Sequence, residues 1–351
     1  MAGKYVLVAT FLFVLGLVTT TLAALQLVLP DLLSGTAYTT YGRLAPAGRA
    51  LLASGWLTLA GLGLSFYVLS QITGQELRRK RLAMTALVLI AFGVFATAGA
   101  LIGGLSSGIP GQEGPIWTRA ISAIGYLAAS LVITAMAKQR ADRLGAAGWY
   151  ITAASWWLTA SALFGLIPLM SGIPGSIQAA FVYAGTNRLF AVSLAVGLLY
   201  FAFSKISGVD PTEPRPLAAL GFWSLTLVWA FMGGVELIYS ASPDWYETLT
   251  IAFAIAAFVP LLAIVMDLGL MLKGRTASIL DRATLRYGVV AGLALATATI
   301  VNFLAAWRAT SGAVQYSTWT TGLETLIVLG GGSFAIFAAN SVRRGGRASG
   351  S

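Results

Sequence analysis

Ten stretches of this chain each run for about 20 residues with almost no charge, the length an α-helix needs to cross the hydrocarbon core of a bilayer. They lie near 5–30, 47–71, 83–107, 116–136, 148–170, 177–203, 216–240, 246–272, 287–307 and 320–340. Inside hydrocarbon every backbone N–H and C=O must find its partner within the protein, so only helices and closed barrels survive there. Barrel strands would alternate apolar and polar residues, and these runs do not. The expected fold is all-α: a polytopic transmembrane bundle of about ten helices, forming a single integral membrane domain over residues 1–351. Composition removes the soluble alternative. Apolar residues reach 58% and charged ones only 10%, against about 25% charged in ordinary soluble proteins. The first run exceeds the apolar core of a signal peptide and only Lys4 precedes it, so it reads as a retained helix.

Charge placement orients the bundle. Basic residues gather in alternate connections: Lys4; Arg78, Arg79, Lys80 and Arg81; Lys138, Arg140 and Arg143; Lys205 and Arg215; Lys273, Arg275, Arg282 and Arg286; and Arg343, Arg344 and Arg347. These are 17 of the 22 lysines and arginines. The opposite side holds only Arg43, Arg49, Arg119 and Arg308, with Arg188 inside a run. The positive-inside rule then places both termini in the cytoplasm, with the bundle in the inner membrane. Trp117, Trp245, Trp307 and Trp319 fall at the expected outer helix ends, where indole favours the headgroup region. The formal charge of +10 is thus a topology signal. A nucleic-acid partner is not expected, since it would need a basic face on a soluble domain. The 40 glycines fall mostly within the runs and imply close helix packing, and Pro211, Pro214 and Pro216 keep the connection Gly208–Pro216 from being helical throughout.

The chain contains neither cysteine nor histidine. That removes disulfides, thiolate metal sites, cysteine nucleophiles and the Ser-His-Asp triad, together with the usual ligand of heme, copper and zinc. No phosphate-binding glycine loop and no dinucleotide fingerprint is present. Within the runs the ionisable groups are Arg188, Glu236, Asp267 and Glu324, with Glu247 at an interface. Each costs roughly 2.5–3.5 kcal/mol at membrane depth unless it finds a partner or a wet cavity. Arg188 lies about eleven residues into its run, and Glu236 and Glu324 occupy the outer parts of theirs. An intramembrane ion pair of Arg188 with one or both glutamates is one reading. The other has the glutamates reaching headgroup water while Arg188 bonds backbone carbonyls. Asp267, near Lys273 and the inner surface, is expected to play an ordinary interfacial role. No catalytic residue and no metal site is assigned.

Four stretches in order resemble subunit I of the heme-copper oxidases, above all the cbb-type C-family and the nitric-oxide reductase large subunit. Tyr41-Gly42-Arg43-Leu44-Ala45-Pro46-Ala47-Gly48 is similar to the family's Gly-Arg-Leu-Arg-Pro-Leu-His, whose histidine binds the low-spin heme; Gly48 stands at that position. Ala184-Gly185-Thr186-Asn187 matches Gly-His-Asn, with Thr186 in place of a copper ligand. The segment from Gly233 to Trp245 resembles Gly-Pro-His-His-Leu-His-Tyr-Thr-Ala-Leu-Pro-Asp-Trp, with Val235 and Glu236 replacing two copper histidines and Trp229 at the active-site tyrosine. The segment from Tyr316 to Thr325 resembles Tyr-Thr-Asp-Trp-Thr-Val-Gly-His-Val-His, with Leu323 and Thr325 replacing the heme histidines.

The resemblance implies the family's fold and its membrane setting, with ten expected helices against the family's twelve or more. It departs at every metal ligand. Heme iron needs an axial nitrogen, sulfur or phenolate donor, and Gly48, Leu323 and Thr325 offer none. Copper needs imidazole-like ligands, which Thr186, Val235 and Glu236 do not supply. Trp156, Trp157, Trp223, Trp229 and Phe231 are candidates to fill the vacated space, with lipid contact as their alternative. The expectation is a heme-free, catalytically inactive subunit without cofactors, an accessory part of a respiratory or electron-transfer membrane complex. Its expected partners are the other membrane subunits and lipids. Two alternatives stand beside it: transport of an ion, proton or small solute through the emptied cavity past Arg188, Glu236 and Glu324, and a quinone- or lipid-binding role in the old heme cleft.

Overall fold

Ten long helices form the bulk of the described residues. In the computed structural model α1 spans Ala2–Gln26, α2 Tyr41–Thr73, α3 Lys80–Ile102, α4 Ile116–Ala137 and α5 Gly145–Phe164. α6 follows over Ile173–Ser207, then α7 Pro216–Leu237, α8 Asp244–Leu272, α9 Ala283–Ala306 and α10 Trp319–Gly345. The structure describes residues 1–33, 35–77, 79–168, 172–274, 282–315 and 317–348. Arg78, Arg275 and Tyr316, and the side chains of Arg143, Phe231 and Arg347, lie outside the described residues.

Among the described residues nine helices, all but α5, are long and apolar enough to cross a membrane. α5 matches them in length, but Trp, Ser and Thr dilute its apolar character. Part of that polarity is turned inward. Ser130 of α4 donates to the Ser155 carbonyl at 2.8 Å and shares a hydrogen bond with Thr159 at 2.8 Å, so one hydroxyl of α5 engages a neighbouring helix. The chain-reversing loops are short, and the ends are cut by local chemistry. α1 stops at Gln26, whose amide donates to the Leu32 and Thr39 carbonyls at 2.9 and 2.5 Å and ties down the loop that follows. α8 is interrupted at Ala257, three residues before Pro260, which has no N–H to give to the preceding turn.

α2 and α6 are the most enclosed helices, and α1, α8 and α9 the least. α6 packs on α5, α7, α8 and α10, and α2 on α1 and α3, so the centre of the bundle is shared by α2, α6 and α10. Each of these three carries one wide turn of i→i+5 bonding: Leu51–Leu57 in α2, Ala184–Leu189 in α6 and Leu326–Ser333 in α10. Such π turns bulge one residue out of register and recur at functional sites. They sit beside the positions that the sequence marks as degenerate ligands. Two of them are joined directly: Trp56 Nε1 donates to Ser333 Oγ at 2.8 Å, and its ring packs between Phe13 and Phe337.

The N-terminus and the end of α10 share one face of the bundle, since a Cβ at Gly3 would lie 3.6 Å from Arg343. Trp117, Trp245 and Trp307 are half or more exposed at helix ends, while Trp319 turns its indole N–H to the Val301 carbonyl at 3.3 Å.

Candidate functional site

The polar centre of the molecule is built on the π turn of α6. That turn holds Arg188, which is 2% exposed. Its Nη2 donates to Glu236 Oε1, and its guanidinium lies over the Tyr183 ring, 5.4 Å from the centroid. Glu236 comes from the tight turn Gly233–Leu237 that ends α7. The turn reaches α6 and α8 only because residues 233 and 234 are glycine. A Cβ at Gly233 would meet Ala184 Cβ at 2.6 Å, and one at Gly234 would meet the Thr250 and Tyr246 hydroxyls at 2.5 and 2.6 Å. Gln315 secures the same turn, its amide donating to the Glu236 carbonyl at 2.7 Å and to the Val235 carbonyl at 3.3 Å.

Glu324 is buried on α10 and bonded to a different residue: Tyr183 Oη donates to its Oε2 at 2.9 Å. Arg188 therefore contacts Glu236 directly and is linked to Glu324 through the Tyr183 ring. Beyond Glu324 lies a polar cavity of about 100 Å³ lined by Arg49, Gln112, Glu113, Arg119, Tyr183 and Glu324, among others. Arg49 pairs with Glu113 at 3.2 Å, and Arg119 bonds Gln112 Oε1 at 2.8 Å. At about 30 Å³ per molecule this space takes about three waters.

Another ionic pair lies at the far end of the bundle. Arg215, just before α7, grips Asp267 of α8 with two bonds, Nε to Oδ2 at 2.8 Å and Nη2 to Oδ1 at 2.9 Å. Its hydrogen bonds to Asp267 push the guanidinium above its ordinary value, outweighing its partial burial, so the group stays charged. Asp267 is 4% exposed and is held by Arg215 of the connection rather than by the nearby Lys273. Its partner lies 52 positions upstream and fastens the proline-rich connection to α8.

The degenerate ligand positions hold no metal donors. Gly48 is where α2 touches α1: a Cβ there would meet Thr20 Oγ1 at 2.3 Å and the Thr20 backbone at 3.0 Å, so the site that a heme ligand would need is filled by helix packing. The Thr186 hydroxyl donates back to the Val182 carbonyl at 2.9 Å, and the Thr325 hydroxyl to the Thr321 carbonyl at 2.8 Å, as threonines in helices commonly do. Val235 and Leu323 are buried aliphatics, and Glu236 is committed to Arg188. Among the described residues no group of three or more acidic residues converges on a point where a metal would sit. The residues present do not fit heme or copper.

The aromatic candidates for space filling divide. Trp229 is buried and its Nε1 donates at 3.0 Å to the Ala184 carbonyl, a group loosened by the π turn. Trp157 is half-buried. Trp156 and Trp223 instead face outward, 36% and 63% exposed, Trp156 bonding Thr134 at 2.8 Å, because their positions fall on the lipid side of α5 and α7. Trp56, not singled out from sequence, fills the space between α2 and α10. Its mark was there to read, as an indole in mid-run and far from either headgroup layer. Tyr183, Arg49, Glu113 and Asn302 were missed as well, because a polar residue in a run announces burial but not its partner.

These features define a polytopic α-helical membrane protein with an ionic cluster where metal ligands would converge. Residues 1–342 match the family described as Cytochrome C and Quinol oxidase polypeptide I, and the chain belongs to that family. It is similar to a cytochrome c oxidase subunit 1 homolog of Agrobacterium tumefaciens (strain T37), at 26% identity over 356 aligned positions. The alignment takes in 96% of this chain and 65% of that relative.

Proposed function

We propose that this chain is a heme-free, non-catalytic member of the oxidase subunit I family, serving as an accessory subunit of a respiratory or electron-transfer complex in the inner membrane, with both termini cytoplasmic. The packing of Gly48 against Thr20 carries this reading, because it leaves no room at that position for a ligand side chain. The inert side chains at Thr186, Val235, Leu323 and Thr325 support it from the other ligand positions. The partners are other membrane subunits, since the long helices form the bulk of the described residues and no soluble domain stands beside them among those residues. Lipid is the second class of partner.

Ion transport is less well supported. The polar cavity reaches Glu324 from one end, but the space between Arg188 and the Arg215–Asp267 pair is walled by aliphatic side chains such as Val196, Leu199 and Leu268. Purification of the tagged chain in mild detergent tests the accessory role. Fixed-stoichiometry co-purification of other membrane polypeptides is expected, and a chain that emerges alone and monodisperse contradicts it.

A further inference from the structure

Between the starts of α5 and α7, on the side of the bundle where the basic connections lie, is a pocket of about 370 Å³. Three contacts hold its walls in place. Gly145 stands at φ +54°, and a Cβ there would run into the Pro211 carbonyl, so the proline-rich connection lies directly on the first turn of α5. Tyr150 Oη donates to the Ala218 carbonyl at 3.3 Å and ties α5 to α7. The fork of Arg215 on Asp267 fixes the same connection to α8.

The inner part of the pocket is aromatic. Phe222 forms edge-to-face pairs with Trp149, Tyr150 and Trp223, at centroid distances of 6.1, 5.2 and 5.3 Å. Tyr150 and Phe222 are buried, whereas Trp149 and Trp223 are 51% and 63% exposed on the outside of the bundle. Trp223 comes seven residues after Pro216, about 10 Å along the helix axis. The interfacial layer on each side of a bilayer is about 5–8 Å thick. The pocket therefore runs from the headgroup layer to the edge of the hydrocarbon, the depth at which indole is favoured.

Charge at the other end has the opposite sign to its surroundings. Among the described residues, the charged side chains that line the pocket are Asp142, Glu213 and Arg215. Arg215 is already engaged with Asp267, and both acids are exposed in the connections. The rest of this face carries the basic residues of the chain, which attract anionic lipid. A negative rim on a positive face selects a cation instead. A soluble amine would use the acids alone, whereas a lipid head ending in an ammonium uses both the acids and the indoles.

We propose that this pocket binds the headgroup of one ethanolamine phospholipid, its ammonium donating to Asp142 and Glu213 and its glycerol region lying against Trp149 and Trp223. A primary ammonium brings three N–H donors to the carboxylates, and the quaternary ammonium of choline brings none. The volume equals that of about twelve waters, which leaves room for a phosphoethanolamine head. The inference deepens the reading of lipid as a partner and rests on it.

The test uses the full chain, delipidated in mild detergent. Dioleoyl lipids with ethanolamine, choline or glycerol headgroups are added back separately, and bound lipid is counted by native mass spectrometry. One ethanolamine lipid per chain is expected, held roughly tenfold more tightly than the choline lipid, the worth of one charge-assisted hydrogen bond. Asp142→Asn combined with Glu213→Gln should erase that difference without lowering the Tm of the lipid-free protein, since both side chains are exposed. Trp223→Ala should weaken the ethanolamine and choline lipids alike, which attraction to the acids alone would not produce. The wild-type comparison of the three lipids stands by itself if a variant fails to fold. Equal binding of the three, tighter binding of the glycerol lipid, or a preference that survives the double substitution overturns the proposal. Phospholipid retained without headgroup preference defeats this inference only, whereas a chain that holds no phospholipid defeats the lipid partner as well.

Discussion

Arg188 and Arg215 are both paired with carboxylates in the same bundle, yet they are used differently. Arg215 presents the edge of its fork to Asp267 and spends Nε and Nη2 on both oxygens. Arg188 makes one bond to Glu236, stacks on Tyr183, and keeps two nitrogens bare beside a cleft. A bidentate fork is a complete structural joint, fixing a loop to a helix. A half-spent guanidinium in apolar surroundings is an unfinished one, and its completion has to come from water or a ligand. Similar chemistry thus serves an anchor at one end of the molecule and a site at its centre.

That contrast can be broken by substitution. The largest effect is expected for Arg188→Leu, which strands Glu236 and removes the charge over Tyr183, lowering stability by about 3–5 kcal/mol. Unfolding in detergent measures it, and adding Glu236→Leu should recover much of the loss because both charges then leave together. Arg215→Leu strands the buried Asp267 and should cost about 2–3 kcal/mol. Adding Asp267→Leu should recover much of it in the same unfolding assay, since both charges then leave together. Equal losses from the two single variants would erase the distinction.

Smaller changes sharpen it. Gly48→Ala places a methyl group against Thr20 and should cost about 1–3 kcal/mol by overpacking, while Gly42→Ala, with no neighbour within 4 Å, serves as its control in thermal melts. Trp229→Phe removes only the bond to the Ala184 carbonyl while keeping an aromatic ring. A loss of about 0.5–1.5 kcal/mol is expected, with the Arg188 region reporting it through altered exchange of the π-turn amides.

Much of this was legible in the residues. Uniform apolar runs gave the helices, because backbone satisfaction in lipid leaves few options and a run of about 20 residues has one natural length. α5 follows the same rule over a less apolar run, with Thr159 finding a partner on α4. Arg188, Glu236 and Glu324 stood out as charges at membrane depth. Their arrangement did not, since it depends on the π turn that rotates Arg188 toward α7 and on the Gly233–Gly234 turn that brings Glu236 inward. The partner of Asp267 was hidden for the same reason. Its nearest basic neighbour in sequence was Lys273, whereas the fold supplied Arg215 across a connection of more than 50 residues. Trp56 and Asn302 carried a visible sign, polarity or indole in mid-run, but no sequence rule names what such a group faces.

The most direct test of the heme-free scaffold is the visible spectrum of the purified chain, read with a pyridine hemochrome assay against protein concentration. The expected result is no Soret band in stoichiometric amount, including after expression with excess heme. A Soret band near one or two hemes per chain would contradict it, because Gly48, Leu323 and Thr325 give heme iron no axial donor.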